Sequence, residues 1–149
     1  MDKNEQNALQ DIEEYGCHVL HIMEEDSEPG YTYSIGIDKT SSHPDVIVTG
    51  LKHEVAHWMI DQYNNRVLSG EQFKPDEYYA GFLEGFDVTF KEVDKKHYYK
   101  YFRLGRRLYK GDDFKALQLI YPSTTGLWPW DKNLPEDYIW HLPRLYAVT

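Results

Sequence analysis

The sequence predicts an α+β fold. The expected form is one domain over residues 1–149, with a mostly antiparallel sheet of about five strands, two main helices, a short N-terminal helix and an extended aromatic, Pro-rich C-terminal tail. Three observations predict it. Short stretches of two-residue alternation, or of unbroken apolar character, recur along the chain as strands do. Two longer stretches carry apolar residues at helical spacing. The composition, with 41% hydrophobic and 15% aromatic residues in 149, supplies enough apolar surface for one core without disulfides or a structural metal.

Taken in order, Ala8, Leu9, Ile12 and Tyr15 give a helical spacing over 4–15, and Gly16 is its stop. Residues 17–24 read as a strand, and 25–30, ending in Pro-Gly, as a hairpin connection. Tyr31, Tyr33, Ile35 and Ile37 alternate with Thr32, Ser34, Gly36 and Asp38, a strand with one apolar face, in which Gly36 suits a bulge. After a loop, DVIVT at 45–49 has the continuous apolar pattern of a strand covered on both faces. A helix over about 52–67 follows the turn at Gly50, with Val55, Trp58, Met59 and Tyr63 expected against the sheet and His53 and His57 on the outer face. Residues 71–81 are loop-like around Pro75. Phe86, Val88 and Phe90 mark a fourth strand, and Asp94 is a good N-cap for a helix over about 95–109. That helix pairs an apolar stripe (Tyr98, Tyr101, Phe102, Leu108) with a continuous basic ridge (Lys96, Lys100, Arg103, Arg107). Residues 114–121 give a fifth, central strand, and the remainder reads as a tail laid over the sheet.

Charge is uneven. Residues 1–30 hold nine acidic side chains against Lys3, whereas 91–110 hold eight basic ones against Glu92 and Asp94, which predicts a bipolar molecule within a net charge of −9. The N-terminus lacks the basic and apolar regions of a signal peptide, and no run is long enough to span a membrane. Cys17 is the single cysteine, so no disulfide forms within the chain. A cytoplasmic protein with no membrane partner is expected.

The one cluster with a ready chemical meaning is His53-Glu54-Val55-Ala56-His57. On a helix, H-E-x-x-H places two imidazoles one turn apart as zinc ligands, with the glutamate as general base. Two features weigh against it. Lys52 puts a cation beside the site, and no H-x-x-G-x-x-H continuation supplies a third ligand, with Glu71, Glu77 and Glu84 as the remaining candidates. Ser34, Ser41, Ser42, Ser69 and Ser123 lack a nucleophile-elbow setting, Cys17 and His18 point to opposite faces of their strand, and no phosphate-binding glycine loop is present. The basic ridge is a weak nucleic-acid signal in an acidic chain. Tyr31, Tyr33, Trp128 and Trp130 suit a ligand pocket less well than they suit packing under the tail.

The glycine in DIEEYGCHVL, the run YTYSIGI followed by HPDVIVTGL and EVAH, and LQLIYPSTTGLWPW together resemble a bacterial family of short uncharacterised proteins, domain of unknown function 4262, over about residues 11–131. The resemblance implies that H-E-x-x-H is peculiar to this chain, because the family pattern asks for no histidine at position 53. It assigns no activity and so carries over no catalytic residue.

The expectation is therefore a small acidic cytosolic protein that acts by protein–protein binding and is more a binder than an enzyme. One form of this is an immunity protein that neutralises a basic toxin domain by charge complementarity. The candidate partner-binding residues are Glu13, Glu14, Glu24, Glu25, Asp26 and Glu28, with the helix face bearing Glu54 and Asp61 as a second candidate surface, and no cofactor is expected. The alternative is a zinc-dependent hydrolase with His53 and His57 as ligands and Glu54 as catalytic base.

Overall fold

In the computed structural model, which describes residues 2–148, the chain begins with helix α1 (Lys3–Tyr15). Asp2 caps it by accepting from the Glu5 N–H at 2.8 Å, and Gly16 ends it in the left-handed conformation. Strands β1 (His18–Ile22) and β2 (Tyr31–Ile35) form an antiparallel hairpin in which His18 faces Ile35 and His21 faces Thr32. A one-turn helix, α2 (Ile37–Ser41), leads to β3 (Asp45–Thr49), and α3 (His53–Leu68) follows. Then come β4 (Tyr78–Leu83), β5 (Phe86–Glu92), a 3-10 turn at Lys95–His97, α4 (Tyr98–Tyr101), α5 (Arg103–Tyr109), β6 (Ala116–Ile120) and α6 (Glu136–His141).

The sheet is six-stranded in the order β1-β2-β3-β6-β5-β4. All neighbours are antiparallel except the central pair: β3 and β6 run parallel, with Asp45 beside Ala116 and Ile47 beside Gln118. Both central strands are buried along their whole length, as their unbroken apolar runs predicted. One face packs Val46, Val48, Val88, Phe90 and Leu119 against Met59, Ile60 and Tyr63 of α3. The other packs Tyr33, Ile35, Ile47 and Ala116 against Ala8 of α1, against Phe102 and Leu104, and against Leu145 of the tail. The fold is thus a three-layer α+β arrangement, helices on both faces of one sheet.

Five details differ from expectation, each for a local reason. The second strand, expected to run to Asp38 with a bulge at Gly36, ends at Ile35, because Gly36 at φ +106° turns the chain into α2 where a loop was expected. The described residues form six strands, not five, because Tyr78–Leu83 pairs with β5 at the sheet edge. Its pattern hides it: only Phe82 is buried, and the pairing register shifts between Tyr79 and Leu83, where Gly81 has φ +93°. The single helix expected over 95–109 is broken at Phe102 (φ −116°, ψ 44°). That ring is fully buried against Tyr33, Tyr98 and Phe114, and the break lets the Leu104 N–H donate to the Tyr33 hydroxyl at 3.2 Å. Core packing outweighs helix continuity there, and the basic ridge is split in two. The tail is partly helical, since α6 lies within it. Finally, α3 is rotated from the expected setting. It buries Ala56, Met59, Ile60, Tyr63, Asn64 and Val67, while Val55 and Trp58 are 38% and 48% exposed. His53 and His57 accordingly do not lie on a free outer face but turn toward the β1–β2 edge.

Candidate functional site

The rotation of α3 builds the most reactive-looking cluster of the molecule. His21 and Thr32 lie side by side on the sheet face that α3 covers, and their side chains meet at 2.9 Å (Nδ1 to Oγ1). The first two turns of α3 then pass over the edge. The His53 ring stacks on His21 with centroids 4.7 Å apart and planes 18° from parallel, and His57 stands 5.3 Å from His21. His21 Nε2 and His57 Nδ1 are 3.2 Å apart, and His57 Nε2 faces the Asp61 carboxylate at 3.6 Å.

These contacts fit one neutral proton arrangement. The Thr32 hydroxyl donates to His21 Nδ1, His21 Nε2–H donates to His57 Nδ1, and His57 Nε2–H points at Asp61. The opposite sequence would leave a bare nitrogen facing a carboxylate. Burial, with the neighbouring His53 and His57, pushes the His21 pKa below its ordinary value. The lowered pKa favours neutral His21, whose one basic nitrogen, Nδ1, accepts from Thr32 in this arrangement.

His21 is the residue that sequence reasoning missed. It sits in an ordinary strand, 32 positions before His53, and only strand pairing and helix placement bring it in. The structure joins His53 and His57 to it. Glu54 lies in the first turn of α3, exposed, close enough for its charge to act on His21 but less strongly than the two histidines. Among the described residues, no three His, Cys, Asp or Glu side chains are placed, as they stand, to hold a metal ion.

Beside the cluster lies a polar cleft of about 500 Å³, lined by Asp11, Tyr15, Cys17, His57, Asp61 and Asn64. Cys17 offers it no thiolate. Burial, followed by the charges of Asp45, Asp61 and Asp11, pushes that thiol up to about 12, so it is protonated and inert at neutral pH. A second, more apolar pocket of about 400 Å³ opens where the parallel strands β3 and β6 end, between Leu51, Leu83, Phe86, Tyr121, Tyr138 and His141.

The acidic candidates fall into two groups. Glu24, Glu25, Asp26 and Glu28 share the β1–β2 connection, closed by backbone hydrogen bonds between Glu25 and Glu28. Glu13 and Glu14 are exposed on the last turn of α1, at the other end of β1, about 17 Å away by strand rise. Glu28 is paired with Lys100, and Glu5 lies 3.6 Å from Arg107. The acidic and basic stretches therefore touch, and the two separate poles expected from sequence are partly joined. Arg103 is exposed beside the groove formed by β1, Tyr31 and Tyr101, and no ion pair engages it among the described residues. Tyr31 and Tyr33 line that groove, whereas Trp128 and Trp130 stack on each other near Tyr78 and Lys91, so the four rings form no common pocket.

Comparison with known proteins adds one finding. The profile of a family described as Domain of unknown function (DUF4262) matches residues 11–135. No curated protein and no solved structure matches the chain.

Proposed function

The chain belongs to the DUF4262 family, and from that premise we propose that it works by binding a basic protein partner along the β1 edge; in its specific form the proposal is an immunity protein that neutralises a basic toxin domain in the cytoplasm. One observation carries it. β1 is an edge strand, bonded only to β2, and both its ends carry exposed carboxylates with a protruding apolar side chain among them. At one end Tyr15 is 65% exposed beside Glu13 and Glu14; at the other, Met23 is 70% exposed beside Glu24, Glu25 and Asp26. Such an edge offers unpaired backbone groups for strand addition, and the carboxylates steer and orient a cationic segment. Among the described residues, Glu28 is engaged by Lys100 and Glu24 lies 3.9 Å from His141, and no ion pair engages Glu25 or Asp26, so the tip of the hairpin can make new pairs.

The alternative hydrolase with Glu54 as base is not adopted. Glu54 lines neither the polar cleft nor the apolar pocket.

The test compares proteins retained by the immobilised wild-type chain with those retained by a Glu24→Lys/Glu25→Lys variant, from cells that make the chain. A basic partner held at low salt, weakened by roughly ten- to a hundredfold in the variant and by raised ionic strength, is expected. Growth protection against that partner, lost in the same variant, identifies immunity. Affinity indifferent to charge reversal and to salt would overturn the electrostatic reading.

A further inference from the structure

We infer that His21, His57 and His53 form a binding site for a divalent transition-metal cation of the zinc class, assembled across the β1 edge and α3. The inference stands on the cluster and not on the partner-binding reading. Two imidazole nitrogens bound to one tetrahedral zinc, each at about 2.0–2.1 Å, lie about 3.3–3.4 Å from each other. His21 Nε2 and His57 Nδ1 are already 3.2 Å apart, on separate elements whose positions the sheet and core fix. Their remaining nitrogens face the kind of oxygen partners that orient metal-bound histidines: Thr32 Oγ1 at 2.9 Å from His21 Nδ1 and Asp61 Oδ2 at 3.6 Å from His57 Nε2. A cation entering between the two rings takes the place of the shared proton. His21 exchanges tautomer through solvent, so that the proton sits on Nδ1 and the Thr32 hydroxyl turns from donor to acceptor, and no proton is released on binding.

The third ligand is His53, one helical turn before His57. Its ring lies flat on His21 and must leave that stack to present a nitrogen. The fourth position opens to solvent, because the His57 side chain is 47% exposed. An all-imidazole set favours zinc, nickel or copper over magnesium or calcium, and the nearby carboxylates of Glu54 and Asp61 favour a cation over an anion.

The experiment titrates metal-free full-length protein with Zn²⁺ by calorimetry and with Co²⁺ by visible absorption. One equivalent per chain is expected, with the intense bands of four-coordinate Co²⁺, and Mg²⁺ should not compete. His21→Ala and His57→Ala should each weaken binding at least tenfold, and Thr32→Val should weaken it less. Circular dichroism of each variant confirms that it is folded, and His21→Gln serves in place of an unfolded His21→Ala. Zn²⁺ affinity unchanged by loss of His21 would leave a simple helical His53/His57 chelate and overturn the inference. So would the absence of one-to-one binding to wild type.

Discussion

Replacing Asp45 by alanine is expected to destabilise the domain by about 3–5 kcal/mol, the range for removing one partner of a buried charged network. Asp45 opens β3 and is fully buried, yet four donors converge on its carboxylate. Ser34 Oγ–H and the Ile37 N–H donate to Oδ1 at 2.7 and 3.0 Å, and Tyr109 O–H and the Asp38 N–H to Oδ2 at 2.6 and 3.3 Å. Through these bonds one side chain fastens the end of β2, the start of α2 and the end of α5 to the centre of the sheet. Ser34 in turn accepts from the Val46 N–H, and the Tyr109 hydroxyl accepts from the Gly36 N–H, so the network closes on itself. Alanine would take this acceptor from all four donors. Urea unfolding of Asp45→Ala measures the loss, and a cost under about 1 kcal/mol would show that the network contributes little.

The same residue sets a pH dependence. Burial raises the Asp45 pKa from its ordinary 3.8 to about 6, outweighing the hydrogen bonds from Tyr109, Ser34, Ile37 and Asp38 that favour the carboxylate. The folded state therefore keeps a proton between about pH 4 and 6 that the unfolded chain has released. Stability from this group is present below pH 4 and falls as pH rises through 6, by up to about 3 kcal/mol. Asp45→Asn, which does not titrate, should lack this slope, and paired urea titrations from pH 4 to 7 would reveal it as a difference between the two proteins.

Gly50→Ala is expected to cost about 3 kcal/mol or more, because αL strain of about 1–2 kcal/mol adds to a backbone collision. Gly50 has φ +75°, and its amide donates to the Gly30 carbonyl at 2.8 Å. A Cβ there would lie 2.2 Å from the carbonyl oxygen of His141 and 2.6 Å from its Cβ. The oxygen is main chain at the end of α6, so relief requires the C-terminal segment to lift. That segment is anchored next to it by Tyr138 O–H donating to the Tyr121 carbonyl, and Tyr121 O–H to the Thr49 carbonyl. A fall in Tm of about 6–12 °C follows for a chain of this length, together with earlier protease cleavage within residues 135–148. A variant with unchanged melting and unchanged cleavage would show that α6 is not held against the β3–α3 turn.

Much of this arrangement was legible beforehand. The unbroken apolar runs at 45–49 and 116–120 name the two central strands, since no other position leaves both faces of a strand dry. Gly16 and Asp94 mark their helix boundaries through backbone and capping chemistry that acts within a few residues. Alternation in β2 separates Tyr33 and Ile35 from Thr32 and Ser34, although both sets are buried. The polar pair does not face solvent but serves His21 and Asp45 beneath α3. The edge strand β4 escaped notice because an edge needs no strict period and Gly81 interrupts it.

What the sequence by itself determined was local or additive: the α+β class, the hairpin, the central strands, the acidic flank and family membership. Only the tertiary structure decided which face α3 buries, that Phe102 breaks its helix, that Lys100 meets Glu28, and that His21 joins His53 and His57. Helical periodicity fixes which residues share a stripe. Which stripe turns inward depends on the shape of the sheet beneath it, and that shape comes from pairings between strands distant in sequence.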